Sequence, residues 1–223
     1  MVRKILSLLA IFALLCYGLH VQAGPVAAKS WLVSDEKGKI IDGENTHDIR
    51  SIASITKLIT VMTVLDAKQN LDEKIGKFTR KELIQLALIK SDNNAAKLLC
   101  ENYPGGTHSC VNQMNNKVYF MGLNYTKFVE PTGLSVMNVS TAEELVAIVL
   151  EAKDYPEIVE ASKTATGKIQ VSEKKWFSFN NTNPIIGKKY DFTVSKTGFI
   201  NAAGGCIVMM LNNGFSQRII VLL

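Results

Sequence analysis

The chain has 223 residues, 47% of them hydrophobic and 20% charged, which suits one domain or a compact pair of subdomains with a substantial core. Its formal charge of +5 falls to +3 once Arg3 and Lys4 are set aside with the leader described next. Lys and Glu are interspersed rather than blocked, which argues against a nucleic-acid-binding patch and tolerates an anionic polymer as partner without identifying one.

Residues 1–23 read as a secretory signal peptide: a basic start at Arg3 and Lys4, an apolar run from Ile5 to Leu15, and a small-residue cleavage site at Val21-Gln22-Ala23. The run is short for a membrane span; an uncleaved N-terminal anchor is the alternative. Cys16 follows Leu14-Leu15 and does not read as a lipid-attachment cysteine. No other stretch approaches the length of a spanning helix, so residues 24–223 are expected to form a single soluble domain in an exported, periplasmic compartment, with no transmembrane segment in the mature chain.

From Lys29 the pattern is a hairpin, with Trp31-Leu32-Val33 and Lys39-Ile40-Ile41 around a turn at Asp35-Glu36-Lys37-Gly38. A helix follows from Ser54 to about Lys68, with apolar positions at Leu58, Val61, Met62 and Leu65. Thr79 and Glu82 form a capping box for the next helix, through Leu83, Leu86, Ala87 and Leu88. It stops at Ser91-Asp92-Asn93, and another begins at once through Ala95, Ala96, Leu98 and Leu99. Tyr103-Pro104-Gly105-Gly106 breaks the chain. Val111, Met114, Val118 and Met121 then mark one helix, and Ser140 with Glu143 caps one through Leu145, Ile148, Val149 and Ala152. The centre, about 54–163, is therefore helical. Five runs rich in β-formers follow: Lys168–Val171, Trp176–Phe179, Tyr190–Val194, Cys206–Leu211 and Arg218–Leu223, with a hairpin signal at Asn212-Asn213-Gly214. The strands of 29–41 and 168–223 are expected in one antiparallel sheet, an α+β arrangement.

Cysteine and histidine narrow the chemistry. Without the leader, Cys100, Cys110 and Cys206 remain; either Cys100 and Cys110 bridge, or all three stay as buried thiols. The two histidines of the mature chain, His47 and His108, form no His-Glu-x-x-His run, so a zinc peptidase is not indicated and no metal or cofactor is expected. His47 sits in a polar loop and reads as a surface residue.

Three short motifs carry chemistry. Ser54-Ile55-Thr56-Lys57 puts a hydroxyl and an amine on one helix face, one turn apart. A serine needs a base to become a nucleophile, and a lysine serves if burial or neighbouring cations lower its pKa; Ile52, Ile55, Leu58, Ile59 and Val61 would bury this helix start. Ser91-Asp92-Asn93 falls at a helix break, where its residues either cap the new helix or point into a cleft. Lys196-Thr197-Gly198 at a strand end offers a cation and a hydroxyl to a carboxylate, and a glycine that permits close approach; the plain alternative is a strand entering a turn.

In that order the three motifs match the signature of class A β-lactamases and penicillin-binding proteins. The likeness extends over Asp48–Lys57, Glu101–Gly106, Phe128–Ser135, Asn138–Ala142 and Lys196–Gly204, where the chain resembles the low-molecular-mass penicillin-binding proteins, in particular the D-alanyl-D-alanine endopeptidase (penicillin-binding protein 7) branch. The resemblance implies a β-lactamase/transpeptidase-like fold, an antiparallel sheet packed against a helical cluster. It implies Ser54 as acylated nucleophile, Lys57 as proton acceptor, Ser91 as proton relay to the departing amine and Asn93 as holder of the substrate amide. Lys196 would set the electrostatics of the cleft and Thr197 would bind the substrate carboxylate. Gly198 would line the substrate site, and the N–H groups of Ser54 and Phe199 would form the oxyanion hole. Two departures stand out. The chain is shorter than the relatives between Leu71–Lys74 and Phe78–Lys81, and it stops at Leu223, so the family's C-terminal helix is expected to be missing and Ile219–Leu223 to leave apolar surface uncovered.

The function this implies is a serine DD-peptidase cutting D-alanyl bonds of peptidoglycan stem peptides, as an endopeptidase on cross-links or a carboxypeptidase on free termini, with β-lactam antibiotics as covalent inhibitors. Two rivals remain. A β-lactamase needs a Glu-x-x-Leu-Asn type deacylating base, which Glu143-Glu144-Leu145-Val146-Ala147 does not supply. A non-catalytic β-lactam or muropeptide-binding protein would acylate without turnover.

Overall fold

A computed structural model describes residues 26–212 and 214–223; the leader and Asn213 of the expected hairpin turn lie outside the described residues. The chain opens with β1 (Trp31–Asp35) and β2 (Ile40–Glu44), then β3 (Arg50–Ser51), a 3-10 turn (Ala53–Ile55) and α1 (Thr56–Asp66). A minimal hairpin of β4 (Lys74–Ile75) and β5 (Phe78–Thr79) precedes α2 (Arg80–Ile89), α3 (Asn93–Glu101) and α4 (Gly106–Phe120). After β6 (Val139–Ser140) come α5 (Ala142–Ala152) and α6 (Pro156–Lys163). The last third holds β7 (Thr166–Ser172), β8 (Lys175–Asn180), β9 (Asp191–Ile200), β10 (Gly204–Asn212) and β11 (Gln217–Leu222).

The first hairpin does join the closing strands: β2-β1-β11-β10-β9 form one antiparallel sheet, with β1 paired to β11 from Trp31↔Leu222 to Asp35↔Arg218. β7 and β8 do not belong to it; they pair only with each other, which corrects the single-sheet expectation. Their outward residues are almost all exposed, so they form a projecting two-stranded arm rather than a core layer.

α1 is buried on every side from Thr56 to Val64, as a helix in the middle of a domain must be. It packs against α2, α3, α4 and α5, while α5 lies on β1, β10 and β11 and α6 lies on β9. The main core runs from Leu32, Val194, Val208, Ile219 and Val221 on the inner sheet face into these helices. The outer face carries a smaller cluster of Ile186, Phe192, Met209 and Leu211, flanked by Ile207 and Ile220. Of the residues expected to be uncovered, Ile219, Val221 and Leu223 are buried and only Ile220 and Leu222 are half-buried.

Local signals differ in how well they survive. The Thr79–Glu82 capping box forms in both directions. The second one shifts by a residue: Thr141, not Ser140, accepts from Glu144 N, because Ser140 pairs with Arg50 across β3–β6. Cys100 and Cys110 are disulfide-bonded, joining α3 to α4, and Cys206 is a free buried thiol. His47 is exposed and pairs with Glu143.

Candidate active site

α1 is entered through Ala53 at φ 46°, a left-handed backbone that an L-residue adopts only under constraint. This tight entry puts Ser54 at the rim of a cleft and Lys57 one turn on, inside the core. The Lys57 Nζ lies 2.8 Å from Ser54 Oγ and 2.8 Å from Asn93 Oδ1, and also donates to the carbonyl of Thr132. Its side chain is fully buried. Burial pushes the Lys57 ammonium down to about 8, against the opposing pull of Glu130 and Asp92. Burial, more than convergence of cations, is thus what lowers it.

The Ser91-Asp92-Asn93 motif proves to be a cap and a cleft wall at once. Asp92 is the N-cap of α3, accepting from Ala95 N at 3.0 Å. Ser91, held at φ 59°, and Asn93 flank that cap and face the cleft. Ser91 Oγ accepts from Lys196 Nζ at 2.8 Å. Lys196 is buried as well, and burial followed by the charge of Lys57 pulls its pKa well below the ordinary lysine range.

Lys196-Thr197-Gly198 lies inside β9 rather than at its end, which corrects the strand boundary: the strand continues to Ile200 and pairs Gly198 with Cys206. Glycine normally weakens a strand interior. Here a Cβ at Gly198 would stand 2.8 Å from Ser54 N and 3.1 Å from Ile52 O, so the missing side chain is what lets β9 run alongside the Ser54 turn. β9 is an edge strand of the sheet, and an edge leaves backbone groups available to an extended ligand.

The resulting cleft has a volume of about 400 Å³ and is lined by Ser54, Ser91, Asn93, Leu134, Thr182, Thr197, Gly198 and Phe199. All eight residues singled out from the sequence meet there, six in its wall and the two lysines behind it. Sequence reasoning missed three contributors. Thr182 reaches Thr197 hydroxyl to hydroxyl, and Leu134 forms an apolar lip. Thr132 supplies only a carbonyl. The loop holding that carbonyl is organised by Glu130, whose carboxylate accepts from Thr132 N (2.7 Å), Thr132 Oγ1 (2.6 Å), Gly133 N (2.7 Å) and Asn138 Nδ2 (2.9 Å). A Pro-Thr-Gly turn beside an acid was the available signal. Among the described residues no group of three or more His, Cys, Asp or Glu is placed to hold a metal ion, and no helix is long and apolar enough to cross a membrane.

Comparison with known proteins agrees with this geometry. The D-alanyl-D-alanine carboxypeptidase family matches residues 19–77 and 71–223. A D-alanyl-D-alanine endopeptidase of Pseudomonas aeruginosa is 36% identical over 241 residues, covering 93% of this chain and 78% of that protein. Since that alignment is longer than the chain itself, the relative carries residues this chain lacks. The Escherichia coli D-alanyl-D-alanine endopeptidase is 38% identical over 213 residues, covering 84% and 69%. Among solved structures, the ampicillin-bound form of penicillin-binding protein D2 from Listeria monocytogenes has a TM-score of 0.80 at 25% identity, over 90% of this chain and 91% of that one. A Streptomyces K15 DD-transpeptidase variant has a TM-score of 0.83 at 22% identity, over 90% and 91%, and shares the fold. On the match to nearly its whole length, and on relatives this similar, the chain belongs to the D-alanyl-D-alanine carboxypeptidase family.

Proposed function

We propose that the protein is a serine DD-peptidase that cleaves D-alanyl peptide bonds of peptidoglycan stem peptides, on cross-links or at free termini, and that β-lactams acylate it. It would act outside the cytoplasm, in the periplasm, once the leader is removed. The observation that carries this reading is the arrangement around Lys57 Nζ. A neutral amine has two N–H donors and one lone pair. Asn93 Oδ1 and the Thr132 carbonyl are acceptors for the two N–H groups, which turns the lone pair toward the hydroxyl of Ser54, 2.8 Å away. With a pKa of about 8, roughly one lysine in ten is in that form at pH 7.

Ser54 Oγ then attacks the carbonyl carbon of the D-alanyl bond while its proton passes to Lys57. The negative charge that develops on the carbonyl oxygen faces the N–H groups of Ser54 and Phe199, in the narrow gap that Gly198 leaves between β9 and the 3-10 turn. When the tetrahedral adduct collapses, the departing amine takes a proton from the Ser91 hydroxyl, which Lys196 replenishes from 2.8 Å. Thr197, steadied by Thr182, receives the substrate carboxylate beside Lys196. Water completes the cycle by hydrolysing the ester: it gives a proton to Lys196, and Lys57 returns its own to Ser54 Oγ.

A fast β-lactamase needs a carboxylate base at the ester, and no carboxylate lines the cleft. Glu143 is engaged by His47, Glu144 by Tyr125 N and Thr126 Oγ1, and Glu130 by its own loop. A fluorescent penicillin should therefore label the protein stably, and Ser54→Ala should abolish labelling without altering the circular dichroism spectrum. Purified cross-linked muropeptide dimers should be split by the wild type. Labelling that survives Ser54→Ala would remove Ser54 as nucleophile; stable labelling without any D-alanine release or dimer cleavage would make the protein a binder rather than a peptidase.

A further inference from the structure

Away from the cleft, the tip of the β7–β8 arm and the β4–β5 hairpin face each other across an open groove of about 650 Å³. Phe78, Val171, Trp176 and Phe177 supply its apolar wall, and Lys77 and Lys175 its charge; no carboxylate lines it. Trp176 is 58% exposed there, an unusual place for the largest apolar side chain on a projecting arm. The groove lies beside residues 71–77, where the two matched segments of the family overlap, and where β4 and β5 are only two residues each.

Lys90 links the wall of this groove to the wall of the catalytic cleft. Lys90 Nζ sits 5.2 Å from the centre of the Phe177 ring and 3.4 Å from Asp92 Oδ2, the cap between Ser91 and Asn93. β8 itself leads from Trp176 toward Thr182 in the cleft wall, whose N–H is anchored on Ile89 O at 3.0 Å. At a strand rise of about 3.3 Å per residue, Trp176 and Thr182 are roughly 20 Å apart along the chain. A stem peptide of about four residues reaches roughly 14 Å when extended, which brings the sugar it hangs from toward the groove.

Resting on the DD-peptidase reading, we propose that this groove binds the glycan portion of the peptidoglycan strand, sugar faces stacking on Trp176 and Phe177 and the carboxylates of neighbouring stem peptides pairing with Lys77 and Lys175. Aromatic faces suit the C–H faces of pyranose rings, and an all-cationic rim suits an acid-bearing glycopeptide. The two-residue strands β4 and β5 leave the groove open, so preference for polymeric over sugar-free substrate is decided there.

The test uses the mature chain, its Trp176→Ala variant and its Lys77→Glu/Lys175→Glu variant. Two quantities are read: affinity for purified insoluble sacculi by cosedimentation, and kcat/KM for a cross-linked disaccharide-peptide dimer against the same cross-linked peptide without sugars. For both variants, sacculus affinity and glycopeptide kcat/KM should each fall about tenfold, with the sugar-free peptide cleaved within about twofold of wild type. Unchanged sacculus affinity, or equal losses on the two substrates, overturns the proposal. Should the wild type cleave neither substrate and take up no penicillin, the DD-peptidase reading fails, and the sacculus affinities still judge the groove by themselves.

Discussion

Gly133 offers the sharpest test of how the Lys57 amine is held. It sits at φ +84°, and a Cβ built on it would stand 2.0 Å from Ala53 O, 2.4 Å from Ala53 C and 2.8 Å from Ser54 N. A carbon and a carbonyl oxygen approach to about 3.3 Å at closest, so Gly133→Ala must separate the Thr132–Gly133 loop from the Ser54 turn by more than about 1 Å. Neither side moves freely, since Glu130 binds the loop through four close hydrogen bonds and Ile52, Ala53 and Ile55 are buried. Displacement of that size breaks the alignment of Lys57 with Ser54 or with the Thr132 carbonyl, and a misplacement of about 1 Å costs on the order of 10²-fold in rate. An alanine forced into a left-handed conformation adds about 1–2 kcal/mol of destabilisation. The assay is the second-order rate of acylation by a fluorescent penicillin, with a thermal melt alongside. We expect acylation about 100-fold slower in a protein that still melts cooperatively. Acylation within about threefold of wild type would refute the idea that this loop positions the base.

Other consequences follow from single contacts. On the proposed transfer of the Ser54 proton to neutral Lys57, acylation should rise about tenfold per pH unit below 8 and level off above it; a profile flat from pH 6 to 9 would assign the proton elsewhere. Glu130→Ala strands several buried donors of the Thr132 loop and should cost about 2–4 kcal/mol by denaturant unfolding, with slower acylation. The Cys100–Cys110 bridge closes a loop with a sequence separation of 10, which chain entropy values at about 2.7 kcal/mol. Cys100→Ala/Cys110→Ala should therefore lower Tm by roughly 5–10 °C while leaving acylation intact.

What the amino-acid order determined by itself is what depends on neighbours in the chain. The hydroxyl–amine spacing of Ser54 and Lys57, the Thr79–Glu82 capping box, the break at Ser91-Asp92-Asn93 and the polar setting of His47 are all local chemistry, and each is found where the residues point. Where two local solutions were equivalent, tertiary contacts chose. Ser140 and Thr141 are both capping residues with a glutamate three positions on, and the β3–β6 pairing selected Thr141. Glycine at 198 suggested a strand end, yet β9 passes through it, and the glycine answers to the neighbouring turn, which leaves no room for a Cβ. The arm of β7 and β8 has ordinary strand composition, and only the three-dimensional arrangement separates it from the main sheet. The proposed base is itself a tertiary product. Lys57 takes a hydrogen-bond partner 75 positions away, and Lys196 meets Ser91 across 105. One of those partners is a backbone carbonyl, a group that every residue possesses and that no side-chain pattern can announce. Burial lowers both amines, and burial belongs to the packed molecule rather than to any stretch of chain.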